Sequence, residues 1–232
     1  MKRSYAKEMM DLPGQPRELL EDDLRNLRVI NRRLGNYRNV VRGLNRLVES
    51  QNIDRFSLLD VGTGSGDVPA VIARWARRNA VAVRISALEP EPVTVVQAAV
   101  QTWNFPEVAV VRGDGMAPPF HAASFDFVLA SQLLHHFSEE QIVRLLRIWS
   151  PLARRAIIVS DLVRHPLAYY GIRLLTKLLT RNAMTRTDAP LSVARAFTLA
   201  EWRALLREAD VGPFQILSAF PFRIMALIFA KG

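Results

Sequence analysis

The chain has 232 residues, of which 50% are hydrophobic, and a formal net charge of +9 at pH 7. These values are typical of a well-packed globular domain rather than a disordered chain. There is no cysteine, which excludes disulfides, thiolate metal ligands and cysteine nucleophiles and is typical of the reducing cytoplasm. The sequence begins without an apolar signal segment and has no apolar stretch long enough to span a bilayer, so we expect a cytoplasmic protein.

The basic charge lies toward both ends of the sequence. Residues 1–50 carry a net charge of +4, residues 51–135 carry −2, and residues 136–232 carry +7. Solvated arginine-rich helix faces explain such a distribution most simply. Attraction to a membrane surface, an acidic substrate or nucleic acid are the alternatives.

Two amphipathic helices are predicted first, over 20–34 and 37–48, separated by Gly35. From Phe56 onward, short apolar strands alternate with helices. Ser138 is followed three residues later by Gln141, and Thr198 by Glu201, which predicts two capping boxes. Residues 214–232 read as two strands joined around Pro221, a hairpin. The predicted strands lie at 56–62, 83–90, 108–115, 125–131 and 155–162, and the helices at 67–78, 92–103, from Ser138 onward and at 198–210.

This order predicts an α/β fold, a Rossmann-like, doubly wound sheet of seven mostly parallel strands that ends in an antiparallel hairpin. We expect residues 1–50 to form an N-terminal helical arm and residues 51–232 to form the main domain. Residues 163–197 interrupt the alternation. Their centre, 165–182, is apolar around much of a helix, and the whole insertion carries six Lys/Arg and one Asp. We expect this insertion to be a helical lid.

The glycine-rich stretch DVGTGSGD, residues 60–67, follows the first predicted strand. A P-loop would end in Gly-Lys-Ser/Thr, but Asp67 follows Gly66, so triphosphate binding is disfavoured. A dinucleotide fingerprint would place its third glycine at position 67. An acidic residue at a helix N-terminus also repels a pyrophosphate. The loop therefore suits a ligand that has a positive centre and no phosphate.

Two acidic residues at the ends of the next strands extend this interpretation. Glu89 ends the second strand, where a carboxylate can accept hydrogen bonds from both hydroxyls of a ribose. Asp114 ends the third strand, where a carboxylate can accept a hydrogen bond from an exocyclic amine.

The segments LLDVGTGSGD, LEP, GDGMAPPF and FDFVLASQLLHHF, in this order and spacing, resemble the class I S-adenosylmethionine-dependent methyltransferases, and most nearly the small-molecule branch that includes the ubiquinone and menaquinone methyltransferases. The resemblance covers about residues 56–162 and the C-terminal hairpin. It implies S-adenosylmethionine as the cofactor and S-adenosylhomocysteine as the product.

The resemblance also implies a role for individual residues. Asp60 would lie near the amino group of the cofactor, Glu89 would hold the ribose, and Asp114 and Gly115 would flank the adenine. The Pro-Glu-Pro sequence after Glu89 leaves Glu91 as an alternative, although the strand end favours Glu89. The implied cofactor-binding set is Asp60, Gly62, Thr63, Gly64, Gly66, Glu89, Pro90, Asp114, Gly115, Met116, Ser131 and Gln132.

Histidines are the candidate bases for removing a proton from the methyl acceptor. His135 and His136 follow the fourth strand, at the sheet edge where such folds bind ligands. Because adjacent side chains usually point apart, we expect only one of them to face the pocket. Helix capping is the alternative role. His165, after the fifth strand, is the third candidate, and we predict no metal ion.

Two absences disfavour nucleic-acid substrates. SQLLHHF stands where an Asn/Asp-Pro-Pro-aromatic loop would serve an amine of DNA, and there is no cysteine for a C5-pyrimidine RNA enzyme. The apolar lid instead suits a small hydrophobic substrate. Its leucines could equally form core or a homodimer contact, and its basic helix could rest on an anionic membrane.

We therefore predict an S-adenosylmethionine-dependent methyltransferase that acts on a small hydrophobic acceptor, a phenolic, polyketide or quinol-type compound. Oxygen is the first choice for the acceptor atom and carbon the second. The alternatives are an RNA methyltransferase, a non-catalytic cofactor-binding protein and, last, a nicotinamide dehydrogenase.

Overall fold

The structure is a computed structural model that describes residues 1–231. Its centre is a seven-stranded sheet with the order β3-β2-β1-β4-β5-β7-β6. Strands β1 to β5 are parallel, and β7 lies antiparallel between β5 and β6. The predicted fold class and the C-terminal hairpin are confirmed. The strands are β1 (Arg55–Val61), β2 (Ala82–Glu89), β3 (Val108–Arg112), β4 (Phe125–Ser131), β5 (Ala153–Leu162), β6 (Phe214–Ala219) and β7 (Arg223–Phe229).

The register of the parallel strands aligns their carboxyl ends. Val61 is paired with Leu88 of β2 on one side and with Ala130 of β4 on the other. The next residues along these strands, Glu89 and Ser131, therefore stand beside the start of the glycine loop. This edge is where open parallel sheets bind ligands.

Eight helices surround the sheet within residues 1–231. Two hydrophobic cores fill its two faces, one around the fully buried Trp149 and Trp202 and the other around Leu44, Leu58 and Phe127. The helices are α1 (Arg17–Arg33), α2 (Asn36–Ser50), α3 (Asp67–Arg78), α4 (Pro92–Thr102), α5 (Glu139–Trp149), α6 (Pro166–Leu179), α7 (Ala183–Arg195) and α8 (Leu199–Ala209).

The helix boundaries follow local chemistry. Ser138 with Gln141 and Thr198 with Glu201 form the two predicted capping boxes at the starts of α5 and α8. Gly35, with φ of +80°, separates α1 from α2 as predicted.

The insertion contains two helices, whereas the sequence pattern predicted one helical stretch over 165–182. Helix α6 ends at Leu179, and Thr180 is extended. Asn182 then begins α7, because its side chain accepts a hydrogen bond from the backbone N–H of Thr185. All of α7 lies beyond that stretch, since its apolar stripe is weak and Pro190 lies within it.

The arm and the insertion pack together over the sheet edge. Helix α1 packs on α7, and α2 packs on the sheet and α3. The residues before α1 run along α7, where the backbone N–H groups of Met9 and Met10 donate to the Asp188 carboxylate at 2.9 and 3.0 Å. No helix in the described part of the chain is long and apolar enough to cross a membrane.

Candidate active site

A cavity of about 650 Å³ lies between the carboxyl edge of the sheet and the roof formed by α1, α6 and α7. The sheet side is polar and includes the glycine loop and the residues after β2 and β4. The roof side is apolar. The cavity therefore combines a polar floor with an apolar cover, and the predicted residues that line it are Gly62, Thr63, Gly64, Glu89, Pro90, Ser131, Gln132, His135 and His136.

Two glycines of the loop have separate roles. Gly64 lines the cavity with φ of +56°, and a Cβ built on it would meet no atom within 4 Å, so any side chain there would occupy cavity space. Gly66 does not line the cavity. A Cβ on Gly66 would lie 3.0 Å from the backbone of Ala98 in α4, so this glycine allows α4 to pack closely.

Glu89 is the buried carboxylate that faces the cavity. It accepts hydrogen bonds from the backbone N–H of Gly64 at 3.0 Å and from that of Glu91 at 3.2 Å. Burial raises the pKa of Glu89, and these two N–H donors oppose that shift. The Glu91 carboxylate instead caps α4 by accepting from the N–H of Thr94 at 2.6 Å. Both acids line the cavity, so the choice of Glu89 over Glu91 as the ribose ligand stays a prediction.

Asp60 lies beneath the loop and is 1% exposed. It accepts a hydrogen bond from the Thr63 hydroxyl at 2.6 Å, and burial raises its pKa to about 7. Asp67 accepts from the Tyr37 hydroxyl at 2.7 Å. Within residues 1–231, no basic side chain forms an ion pair with Asp60, Asp67 or Glu89. Three uncompensated carboxyl groups around one loop suit a positively charged ligand.

The predicted adenine-side residues lie outside the cavity lining. Asp114 is exposed, and its carboxylate accepts from the N–H of Met116 at 2.8 Å. The carbonyl of Gly115 accepts from the indole N–H of Trp149 at 2.8 Å. The assignment of these residues to cofactor binding stays a prediction.

Ser131 and Gln132 do line the cavity, together with Asn36, which the sequence analysis missed. The Asn36 amide donates to the Ser131 hydroxyl at 3.1 Å, and its carbonyl accepts from the Ser160 hydroxyl at 3.2 Å. Asn36 thus ties the ends of β4 and β5 to the start of α2. The sequence shows Asn36 directly before the second predicted helix, but its burial becomes visible only in the structure.

His135 and His136 both line the cavity, so the expectation that only one of them would do so is wrong. Residues 134–136 form a 3₁₀ turn rather than an extended strand, and the two rings lie 4.4 Å apart. Nδ1 of His135 is 2.7 Å from the Asp161 carboxylate, and Nδ1 of His136 is 2.9 Å from that of Asp11. In the tautomer that donates its Nδ1–H to the neighbouring carboxylate, each ring keeps a lone pair on Nε2.

Glu8 completes this cluster and was missed by the sequence analysis. Its carboxylate oxygens lie 3.8 Å from Nε2 of His135 and 3.9 Å from Nε2 of His136. Glu8 is 1% exposed, and burial raises its pKa to about 7. It also accepts from the Ser192 hydroxyl of α7 at 3.0 Å. No periodic pattern marks this residue, because it precedes the first predicted helix.

The cluster also brings potential metal-ligating atoms together. One such atom from each of Glu8, His135 and His136 lies within 4.8 Å of the other two. The Arg195 guanidinium, 3.9 Å from the Glu8 carboxylate, already supplies positive charge there. We therefore keep the prediction that no metal ion is bound.

The structure does not bring His165 into the cavity lining. Its Nδ1 accepts from the N–H of Leu167 at 3.2 Å and thereby caps α6. Its ring stacks on Phe222 with 4.7 Å between the centroids. This placement favours a structural role over the predicted catalytic one.

Comparison with known families identifies the central part of the chain. A family described as methyltransferase domain matches residues 58–155, which span β1 to the start of β5 and include the glycine loop, Glu89 and both cavity histidines. Residues 58–155, a little under half of the chain, are therefore similar to a methyltransferase domain, and S-adenosylmethionine is the cofactor that this similarity implies. The search of curated proteins finds no match.

Solved structures share the fold of this methyltransferase domain. Human N-acetylserotonin methyltransferase, in complex with SAM, has a TM-score of 0.63 and 19% identity over 100% of this chain and 63% of its own. An O-methyltransferase family 2 protein from Planctomyces limnophilus, in complex with apigenin, has a TM-score of 0.54 and 18% identity over 76% of this chain and 50% of its own. The CurJ carbon methyltransferase has a TM-score of 0.57 and 15% identity over 77% of this chain and 50% of its own.

The residues at the methyltransferase site fit this cofactor. Gly64 leaves open space at the loop, Glu89 offers a carboxylate to ribose hydroxyls, and the unpaired carboxyl groups suit a cationic sulfonium and ammonium. When bound, S-adenosylmethionine supplies a methyl group on a positively charged sulfur, which a nucleophile takes by in-line displacement.

Proposed function

We propose that this methyltransferase transfers a methyl group to a hydroxyl oxygen of a small, largely hydrophobic acceptor of the phenolic, polyketide or quinol type. The observation that carries the proposal is the composition of the cavity. Most residues of its roof are aliphatic, and the titratable groups that line the same cavity include both histidines, Glu8, Asp11 and Asp188. A ligand that fits would have an apolar body and one ionisable hydroxyl. The aliphatic residues are Leu20, Leu24, Leu27, Ile30, Leu34, Leu167, Ile172, Leu175 and Val193.

The role of the cluster follows from its hydrogen bonds. A phenol or enol is a poor nucleophile until it loses its proton, and a positioned base contributes roughly 10²–10⁴-fold to the rate. Nε2 of His136 is available as that base, because Asp11 orients the ring through Nδ1. The proton leaves the acceptor oxygen and is held on Nε2, while Asp11 and Glu8 stabilise the resulting imidazolium.

His135 has a different position in the same cluster. Its ring is 4% exposed, and Asp161 accepts from both its Nδ1 and its backbone N–H. The Asp161 carboxyl is fully buried, which raises its pKa, but His135, the N–H of Leu162 and His136 together hold that pKa below its ordinary value. We assign His135 to positioning the 3₁₀ turn and the neighbouring ring.

Carbon is the second candidate acceptor atom. An enolised diketone would use the same base and the same apolar roof, and the fold is shared with a carbon methyltransferase. RNA is disfavoured because the histidines lie beneath the roof of α1, α6 and α7 rather than on an open basic surface.

The test is methyl transfer from labelled S-adenosylmethionine to a panel of alkylated phenols, quinols and enolisable diketones, with wild type and His136→Ala. We expect the variant to lose about 10²–10⁴-fold in kcat while its calorimetric affinity for the cofactor is unchanged. His121→Ala, at an exposed position, is the matched control and should retain activity. Full activity of His136→Ala would reject the base. Products methylated on carbon alone would reject the oxygen acceptor.

A further inference from the structure

Helix α6 carries an unpartnered apolar stripe on its outer face. Tyr170, Leu174 and Leu178 recur every four residues, so they share one side of the helix. Their exposed fractions are 64%, 60% and 72%. Soluble proteins rarely leave large side chains exposed in such a contiguous row without a use for them.

Basic side chains flank this stripe. Arg173 and Lys177 lie along one side of it, and Arg181 follows the end of the helix, all of them exposed. None of these three forms an ion pair with a carboxylate within the described part of the chain. Residues 163–187 contain no Asp or Glu. The outer face of α6 is therefore apolar, and the charged side chains of its own segment are all positive.

The same helix forms part of the cavity wall. Ala168, Ile172 and Leu175 line the cavity from α6, and Gly171, at the border between the two faces, leaves a gap in which a Cβ would meet no atom within 4 Å. One thin element thus separates the outer stripe from the substrate space. At the N-terminal end of α6, the ring of Phe222 stacks on that of His165. Phe220, in the turn that also contains Phe222, is 85% exposed.

We propose that this outer face of α6 docks the enzyme on the surface of an anionic lipid bilayer. The apolar stripe would enter the boundary between headgroups and acyl chains, and the flanking basic residues would pair with lipid phosphates. Tyrosine is a residue suited to that boundary, because its ring is apolar and its hydroxyl is polar. Charge complementarity favours an anionic membrane over a second copy of this chain as the partner of α6. Two copies of the same positively charged flank would repel each other.

The biological use of this docking rests on the proposed function, but the experiment that tests the docking does not. A hydrophobic acceptor partitions into membranes, and a docked α6 would place the cavity wall against that source. Binding to vesicles, however, requires neither the cofactor nor an acceptor.

The experiment is co-flotation with vesicles of phosphatidylcholine mixed with phosphatidylglycerol, compared with vesicles of phosphatidylcholine alone. We expect wild type to bind the anionic vesicles and to be released by salt. Arg173→Gln/Lys177→Gln/Arg181→Gln should weaken binding about tenfold or more, because each basic residue near such a surface contributes measurably. Leu174→Ser/Leu178→Ser should also lose binding while it keeps its affinity for the cofactor.

Matched controls come from helices distant in sequence. Arg38→Gln/Arg42→Gln/Arg46→Gln removes three exposed charges from α2, and Val96→Ser/Val100→Ser removes exposed apolar area from α4. Both should bind vesicles like wild type.

Three results would overturn the proposal. The first is equal binding to neutral and anionic vesicles, and the second is unchanged binding by the α6 variants. The third is no vesicle binding together with a dimer that dissociates in Leu174→Ser/Leu178→Ser, which would assign the stripe to a second copy. Lack of methyl transfer with intact vesicle binding would count against the proposed function and leave the docking surface in place.

Discussion

Two buried acids, Glu8 and Asp60, hold opposite sides of the site. Burial raises both pKa values to about 7, against values near 4 in an unfolded chain. Glu8 faces the histidines under the roof, and Asp60 supports the glycine loop. Each destabilises the folded protein once it ionises, and a cationic ligand or imidazolium nearby would offset that cost.

This arrangement predicts how stability depends on pH. Between about pH 4 and pH 7 the folded protein holds protons that the unfolded chain has already released, so its free energy of unfolding falls as the pH rises. In the absence of cofactor, we expect the urea midpoint to be lower at about pH 8 than at about pH 5. Asp60→Asn should flatten that slope, whereas Asp114→Asn, at an exposed position, should not. An equal slope in wild type and Asp60→Asn would contradict the raised pKa of Asp60.

Side-chain positions were predictable where a strand end fixes them. Glu89, Ser131 and the glycine loop follow apolar strands, and the register of parallel strands brings their ends together. Glu8 was unpredictable, because its position depends on how the first residues run along α7. The sequence placed His165 near the site because it follows β5, and it does not reveal that the ring caps α6.

At the scale of elements, the loop between β1 and α3 serves both the cavity and the packing of the helices. Gly64 leaves space for a ligand, and Gly66 allows α4 to approach. The two functions are carried by glycines two residues apart, so single substitutions separate them.

Gly64→Ala should cost about 1–2 kcal/mol of stability from its left-handed backbone and should weaken cofactor binding strongly. Gly66→Ala adds a clash with the α4 backbone and should cost about 2–4 kcal/mol of stability. Urea unfolding and calorimetry measure the two effects, with Gly171→Ala in α6 as a helix control that should not destabilise. If Gly64→Ala binds the cofactor as tightly as wild type does, the open space beside Gly64 is not part of the cofactor site.

The elements themselves were largely predictable from periodicity and capping residues. Both capping boxes and the C-terminal hairpin follow directly from the sequence. The division of the insertion into α6 and α7 could not be predicted, because the break depends on the Asn182 cap and α7 has a weak apolar stripe.

On the scale of the whole molecule, the sheet edge supplies the polar floor, and the arm and lid supply the roof. The contact between the first residues and α7 at Asp188 joins arm and lid into one cover. The sequence predicted the insertion as a lid, and lining residues from α6 and α7 agree, while α1 of the arm adds to the same roof. Which arm residues meet the histidines depends on tertiary packing and could not be predicted.

The central claim is that the glycine loop and Glu89 hold S-adenosylmethionine. Titration calorimetry with S-adenosylmethionine, S-adenosylhomocysteine and NAD tests it on wild type, Glu89→Ala and the exposed control Glu49→Ala. We predict that wild type and the control bind the first two ligands but not NAD, and that Glu89→Ala loses about 1–2 kcal/mol of binding free energy. Binding of NAD alone, or unchanged affinity in Glu89→Ala, would contradict the account.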